Sequence, residues 1–308
     1  MTRIRSILPA LILTGTFTLV PCAPAQESLQ AALHAKLEAQ MKDVTQRLNG
    51  VLGYAIKDLP TGESFYFNAD LVFPTASSIK LTVLLELMHQ AQEGKVSLDE
   101  KHTIRRSETT AGDDEPILNM LGDGTVTMTL RDMATFMVVL SDNSATNILI
   151  DRLGMDNINA GIARLGLKET KLRRRMIDLE AARHGNENVS TPRELMTLLE
   201  RVRAGQALDA THTQEYFRLL KLPKDSLFHK ALPDMVPIAD KPGALEAVRC
   251  DAGIIEIQGR PFILSLMTTY NAHDEEGERA VEDIARLAHA YFDRLSRSSS
   301  YGRVISEK

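Results

Sequence analysis

Apolar positions along the chain keep two periods, and the switches between them divide it. Leu29, Leu33, Leu37 and Met41 recur at helical spacing within residues 27–48, which predicts an amphipathic helix. VLGYAIKDL (51–59) and ESFYFNAD (63–70) then flank Pro60-Thr61-Gly62 and read as strand, turn and strand. From residue 75 to about 203 the period is helical, most clearly in TLRDMATFMVVLSDN (129–143), SATNILIDRLG (144–154) and TPRELMTLLERV (191–202). Asp113-Asp114-Glu115-Pro116 and Gly122-Asp123-Gly124 mark loops between these pieces. Strand character returns in DMVPIADKPG (234–243), CDAGIIEIQ (250–258) and RPFILSLMTTY (260–270). A last helix, residues 275–297, carries Val281, Ile284, Ala285, Ala288 and Phe292 on one face. Strands at both ends with helices between them predict one antiparallel sheet built from both termini. Terminal helices cover it, an all-helical insertion packs to one side, and a cleft lies between the lobes.

Composition changes little in this picture. The 308 residues are 44% hydrophobic and 25% charged, an ordinary globular balance. A net charge of -5, with Arg173-Arg174-Arg175 as the only basic run, argues against nucleic acid as a partner. The N-terminus matters more. Arg3 and Arg5, an apolar stretch over residues 7–20 and Ala23-Pro24-Ala25 follow the order of a secretory signal peptide cleaved after Ala25. A lipoprotein site at Cys22 is the weaker alternative, with Pro21 a poor neighbour for it. No later segment is apolar for long enough to span a bilayer, so the mature chain is expected to be exported, periplasmic or secreted. Cys250 then remains alone and forms no internal disulfide. The tail from Ser298 is polar, and mobility is expected there.

Candidate chemistry begins in FPTASSIKLTVLLELM (73–88), where Lys80 is the one charge before Glu86. Residues three apart share a helix face and residues two apart do not, so Ser77 neighbours Lys80 while Ser78 points elsewhere. A buried ammonium is costly unless paired, and desolvation lowers the pKa of a lysine. A lysine so lowered can take the proton of a serine one turn away. The same residues also read as a snorkelling lysine beside a capping serine, and Ser-x-x-Lys is short enough to arise by chance.

Two more motifs bear on that choice. Ser141-Asp142-Asn143 joins two helical segments, so Ser141 and Asn143 can both face a cleft, although these residue types are also the preferred helix caps. Lys241-Pro242-Gly243 lies in the first late strand, where Gly243 permits a close approach; a lysine and a proline also blunt an edge strand. The histidines form neither His-x-His nor His-Glu-x-x-His, which argues against a zinc hydrolase, and no Gly-x-Ser-x-Gly elbow is present.

In order, secondary structure and spacing, the three motifs resemble those of the class A serine β-lactamases, within the penicillin-recognising serine hydrolases. The likeness runs through FPTASSIK, MTLRDMATFMVVLSDNSATNILIDRLG, NVSTPRELMTLLERV and KPGALEAVRCDAGII. It implies an α/β-plus-α fold of the β-lactamase and penicillin-binding-protein transpeptidase type. In it an antiparallel five-stranded sheet covered by helices (residues 26–72 and 208–297) stands beside an all-helical lobe (73–207). It implies Ser77 as the acylated nucleophile, Lys80 as its proton acceptor, and Ser141 as proton donor to the lactam nitrogen. Asn143 would hold the acylamino side chain, Lys241 would supply positive charge, and the N–H groups of Ser77 and Ala244, beside Gly243, would form the oxyanion hole. Arg249 is a candidate second contact for the substrate carboxylate. The resemblance implies a monomer acting on a β-lactam, with no metal or cofactor and no nucleic acid.

Two departures stand out. Pro242 occupies the middle of the third motif, where the family carries Thr or Ser, and brings neither hydroxyl nor N–H. The family's Glu-x-x-x-Asn loop is divergent here: TKLRRRMIDLEAARHGNENVSTP (170–192) puts arginine or methionine near the expected glutamate, and Asn188 replaces the aspartate that closes the loop. Glu180 is the preferred water-activating base for its reach, with Asp178 the alternative. Three readings stay open: β-lactam hydrolysis, a binding or sensing protein that acylates and stalls, and a cell-wall peptidase or esterase.

Overall fold

A computed structural model describes residues 29–110, 117 and 124–304. The chain opens with α1 (Leu29–Arg47), β1 (Val51–Asp58) and β2 (Ser64–Phe67). The short strand β3 (Phe73–Pro74) and a 3₁₀ turn (Ala76–Ile79) lead into α2 (Lys80–Gln92). The middle of the chain holds β4 (Lys101–Arg105), β5 (Thr125–Thr129), α3 (Leu130–Val139), α4 (Asn143–Leu153), α5 (Met155–Arg164) and α6 (Leu179–Arg183). After β6 (Val189–Ser190) come α7 (Pro192–Arg203), α8 (Ala210–Leu220) and α9 (Leu227–Ala231). The chain ends in β7 (Ile238–Leu245), β8 (Val248–Ile255), β9 (Phe262–Thr269) and α10 (Asp274–Ser296). The signal-peptide reading and the Asp113–Pro116 loop lie outside the described residues.

The main sheet has five antiparallel strands in the order β2-β1-β9-β8-β7. β1 pairs with β9 along its whole length, from Val51 opposite Thr269 to Asp58 opposite Phe262, so the two ends of the chain meet at the centre of the sheet. One face packs under α1 and α10 through Leu37, Met41, Val281, Ile284, Ala288 and Phe292. Phe262 stacks on Phe292 with ring centroids 4.5 Å apart. The opposite face packs on Leu195, Leu198 and Leu199 of α7, a helix within the stretch assigned above to the helical lobe. α2 is apolar on nearly every side, and such a helix is stable only when surrounded. Accordingly α5, α8 and α4 pack around it, and Leu81, Val83, Leu84 and Leu87 are fully buried. Each such side chain contributes about 1.5–3 kcal/mol by leaving water.

Helix starts follow the capping residues. Thr129 and Asp132 form a capping box on α3, Asp142 caps α4, and Thr191 with Pro192 opens α7. Within the stretch assigned to the helical lobe, residues 73–207, two small sheets appear, β3 with β6 and β4 with β5. β5, TVTMT, is a β-branched run whose partner lies more than twenty residues earlier, which local periodicity does not reveal. After α10 the tail folds back, with Ser298 bridged to Val304. Among the described residues no helix is long and apolar enough to cross a membrane.

Candidate active site

Ser77 lies in the 3₁₀ turn and Lys80 opens α2, so the pair keeps the three-residue spacing that eclipses side chains in a 3₁₀ turn. The two serines separate cleanly. Ser78 is fully buried and its Oγ donates to the Thr75 carbonyl at 2.7 Å, whereas half-buried Ser77 lines the cleft. Ala76, immediately before, has φ +47°, a strained value for a residue with a Cβ. Gly243 of β7 presses against this turn. A Cβ there would come within 2.9 Å of the backbone nitrogens of Ser77 and Ser78, so only glycine allows strand and turn to approach this closely.

Ser141 joins two lysines. Lys80 Nζ and Lys241 Nζ each lie 3.1 Å from Ser141 Oγ. Lys80 also donates to the Ser141 carbonyl at 2.6 Å and to Asn143 Oδ1 at 2.9 Å. A hydroxyl accepting from two ammonium groups keeps its own proton available for a third partner in the cleft. Ser141 is itself held at φ +55°, while Asp142 between the two motif residues turns away to cap α4. Capping and cleft-facing roles are thus both filled by one tripeptide.

Lys241 is 1% exposed, and burial pushes its pKa down to about 8, with Asp240 and Asp251 opposing and nearby Lys224 reinforcing the shift. Lys224 forms a buried pair with Asp240 at 2.9 Å beneath β7. Burial, followed by the neighbouring Asp240 charge, raises the Asp251 carboxyl well above the usual range. β7 is an edge strand, which tolerates Pro242, yet Lys241 faces inward and not to solvent.

These groups share one cleft of about 400 Å³, lined by Ser77, Ser141, Asn143, Lys241, Gly243 and Ala244. Arg249 is there too, together with Asp225, Ser226, Lys230 and Glu278, which the motifs do not mark. A buried lysine pair around a serine, with Ser77 and Ala244 lining the same cleft, suits acyl transfer.

The family model of the beta-lactamase enzyme family matches residues 36–292. The chain belongs to this family. It is similar to beta-lactamase SME-1 of Serratia marcescens, 27% identical over 259 residues, covering 81% of this chain and 86% of that one. Among solved structures, PBP-A superposes with a TM-score of 0.76 at 25% identity, covering 84% of this chain and 97% of that one. An ancestral class A beta-lactamase gives the same TM-score and identity over 83% of this chain and 100% of that one. The chain is a class A serine β-lactamase-like protein, with the β-lactamase and penicillin-binding-protein fold.

Within this family framework the loop corrects one expectation. Glu180 is not brought to the cleft: it sits on α6 with its side chain 74% exposed, near Arg183 and His184. Asp178 caps α6 by accepting from the Ala181 N–H at 2.9 Å, and it does not line the cleft either. The residue gripped at the loop's inner edge is Met176. Asn147 accepts from its N–H at 2.8 Å and donates to its carbonyl at 3.1 Å. Asn147 lies one helical turn after Asn143, a spacing that could have flagged it. The loop's closure also differs from the family's. Asn188 Oδ1 accepts from the N–H groups of Arg173 and Arg174, and the Arg174 guanidinium pairs with Glu187 at 2.6 Å. The ion pair here is made by Glu187, while the Asn188 amide clamps backbone.

Proposed function

We propose that this protein hydrolyses β-lactams through an acyl-enzyme on Ser77. The observation that carries the reading is the Ser141 hydroxyl held between the Lys80 and Lys241 ammonium groups. In its neutral amine form Lys80 takes the Ser77 proton as Oγ attacks the lactam carbonyl, and the tetrahedral oxyanion accepts from the N–H groups of Ser77 and Ala244. As the C–N bond breaks, Ser141 passes its proton to the nitrogen and is reprotonated through the lysine network. Asn143 orients the substrate's acylamino arm. The pattern of the first 25 residues supports an exported enzyme.

A second reading, acylation with slow release, is favoured by the loop, where Asn147 grips Met176 and Glu180 faces solvent. One experiment addresses both: a chromogenic cephalosporin time course with intact mass in parallel. Continuous turnover supports hydrolysis, and a one-equivalent burst with a persistent adduct supports slow release. Absence of both signals sinks the β-lactam reading and leaves a peptidase or esterase.

A further inference from the structure

Arg249, the guanidinium that the family resemblance offers to a substrate carboxylate, is already bound on every side. Its Nε donates to Glu278 Oε1 at 2.8 Å and its Nη2 pairs with Asp274 Oδ2 at 3.0 Å. Its Nη1 donates to the carbonyls of Leu245 and Val248 at 2.8 and 2.9 Å. Lys230, the other cation on this wall, pairs with Asp225 at 2.9 Å. Arg249 and Lys230 are thus each already paired with carboxylates, Lys241 is the further lysine lining the cleft, and Pro242 adds no hydroxyl. The two partners of Arg249 are not equivalent. Asp274 also accepts the Ala247 N–H at 3.0 Å and so ties the β7–β8 turn, whereas Glu278 lines the cleft itself.

We propose that Glu278 is a specificity-determining residue: by occupying Arg249 it makes this end of the cleft accept acyl donors bearing a neutral group, an ester or carboxamide, in preference to a carboxylate. The inference rests on the acyl-enzyme reading above. For a substrate carboxylate to reach Arg249 it must displace Glu278 or settle beside it, and either course opposes like charge in a partly exposed site. A single charge in such a setting changes affinity by roughly tenfold.

The test compares acylation by a penicillin and by its methyl ester, each rate divided by that of hydroxide opening the same compound. The parent is expected to favour the ester, and Glu278→Gln to shift the ratio roughly tenfold toward the acid as the guanidinium becomes available. A parent that treats the two alike or prefers the acid overturns the inference, and so does a folded Glu278→Gln with an unchanged ratio. Either result leaves the acyl-enzyme reading standing. If Glu278→Gln does not fold, the parent ratio decides alone. Failure of both compounds to label the protein overturns the acyl-enzyme reading and this inference with it.

Discussion

The floor of the cleft and the loop over residues 173–188 are both held by hydrogen bonds that span long stretches of sequence, but they grip different atoms. On the floor, side chains meet side chains: Lys80 reaches Ser141 and Asn143 more than sixty residues away, and Lys241 reaches Ser141 from a hundred residues away. In the loop, side chains hold backbone: Asn147 clamps Met176, and Asn188 clamps Arg173 and Arg174. The first arrangement fixes residue identity, because replacing any member leaves a buried polar partner unsatisfied. The second fixes only the path of the chain, so outward side chains such as Glu180 are free to vary. That difference explains why the three motifs stay close to the family pattern while the loop departs from it.

The largest expected effect tests the floor. Ser77→Ala should abolish covalent labelling by penicillin while the protein stays folded. Ser78→Ala should retain labelling but lose stability by about 1 kcal/mol, because its buried hydroxyl bonds to Thr75. Intact-mass labelling and urea unfolding of both variants check this. An adduct on Ser78 would reverse the assignment of the two serines.

A pH series tests the same floor from another side. Lys241 is charged below about 8 and neutral above it. Acylation that uses its charge should fall as pH rises through about 8, by roughly tenfold per unit. Stability runs the other way. The folded pKa, about 8, lies below the ordinary 10.5, so between those values the unfolded chain binds more protons. Stability therefore rises with pH across that window. Denaturant unfolding of the parent against Lys241→Met should show the parent's deficit shrinking there, and parallel trends in rate and stability would refute the assignment.

Asn188→Ala strikes the loop at its clamp. It removes the acceptor of two backbone N–H groups and the donor to the Arg174 carbonyl, all in a residue 2% exposed. The expected cost is about 2–3 kcal/mol, with exchange protection lost first at Arg173 and Arg174. Equal loss across the sheet amides would mean that the clamp stabilises the whole molecule and not the loop's path.

Legibility in the sequence followed the same division. The different directions taken by Ser77 and Ser78, the close approach at Gly243 and the joining of both termini in one sheet were all readable from local spacing and periodicity. What escaped was tertiary. β4 and β5 find each other across a long connection, Glu187 pairs with Arg174, and Arg249 is captured by Asp274 and Glu278 of α10. None of these partnerships leaves a short-range signal; Asp274, for example, reads equally well as part of a favourable acidic first turn of α10.

The smallest effect is expected at Glu180. A deacylating carboxylate must reach a water beside the ester, directly or through one intermediary. Glu180 lies on a five-residue helix whose start is fixed by the Asp178 cap, and its own side chain is 74% exposed beside Arg183 and His184. Exposed pairs of this kind contribute roughly 0–1 kcal/mol. Glu180→Gln should therefore change the lifetime of the acyl-enzyme by less than about twofold and stability by less than about 0.5 kcal/mol, the range of ordinary surface substitutions. Time-resolved intact mass after a penicillin pulse measures the first, and denaturant unfolding the second. A variant that instead trapped the adduct while acylating at the parent's rate would return Glu180 to the chemistry. It would also require Glu180, now exposed beside Arg183 and His184, to move into the cleft during turnover.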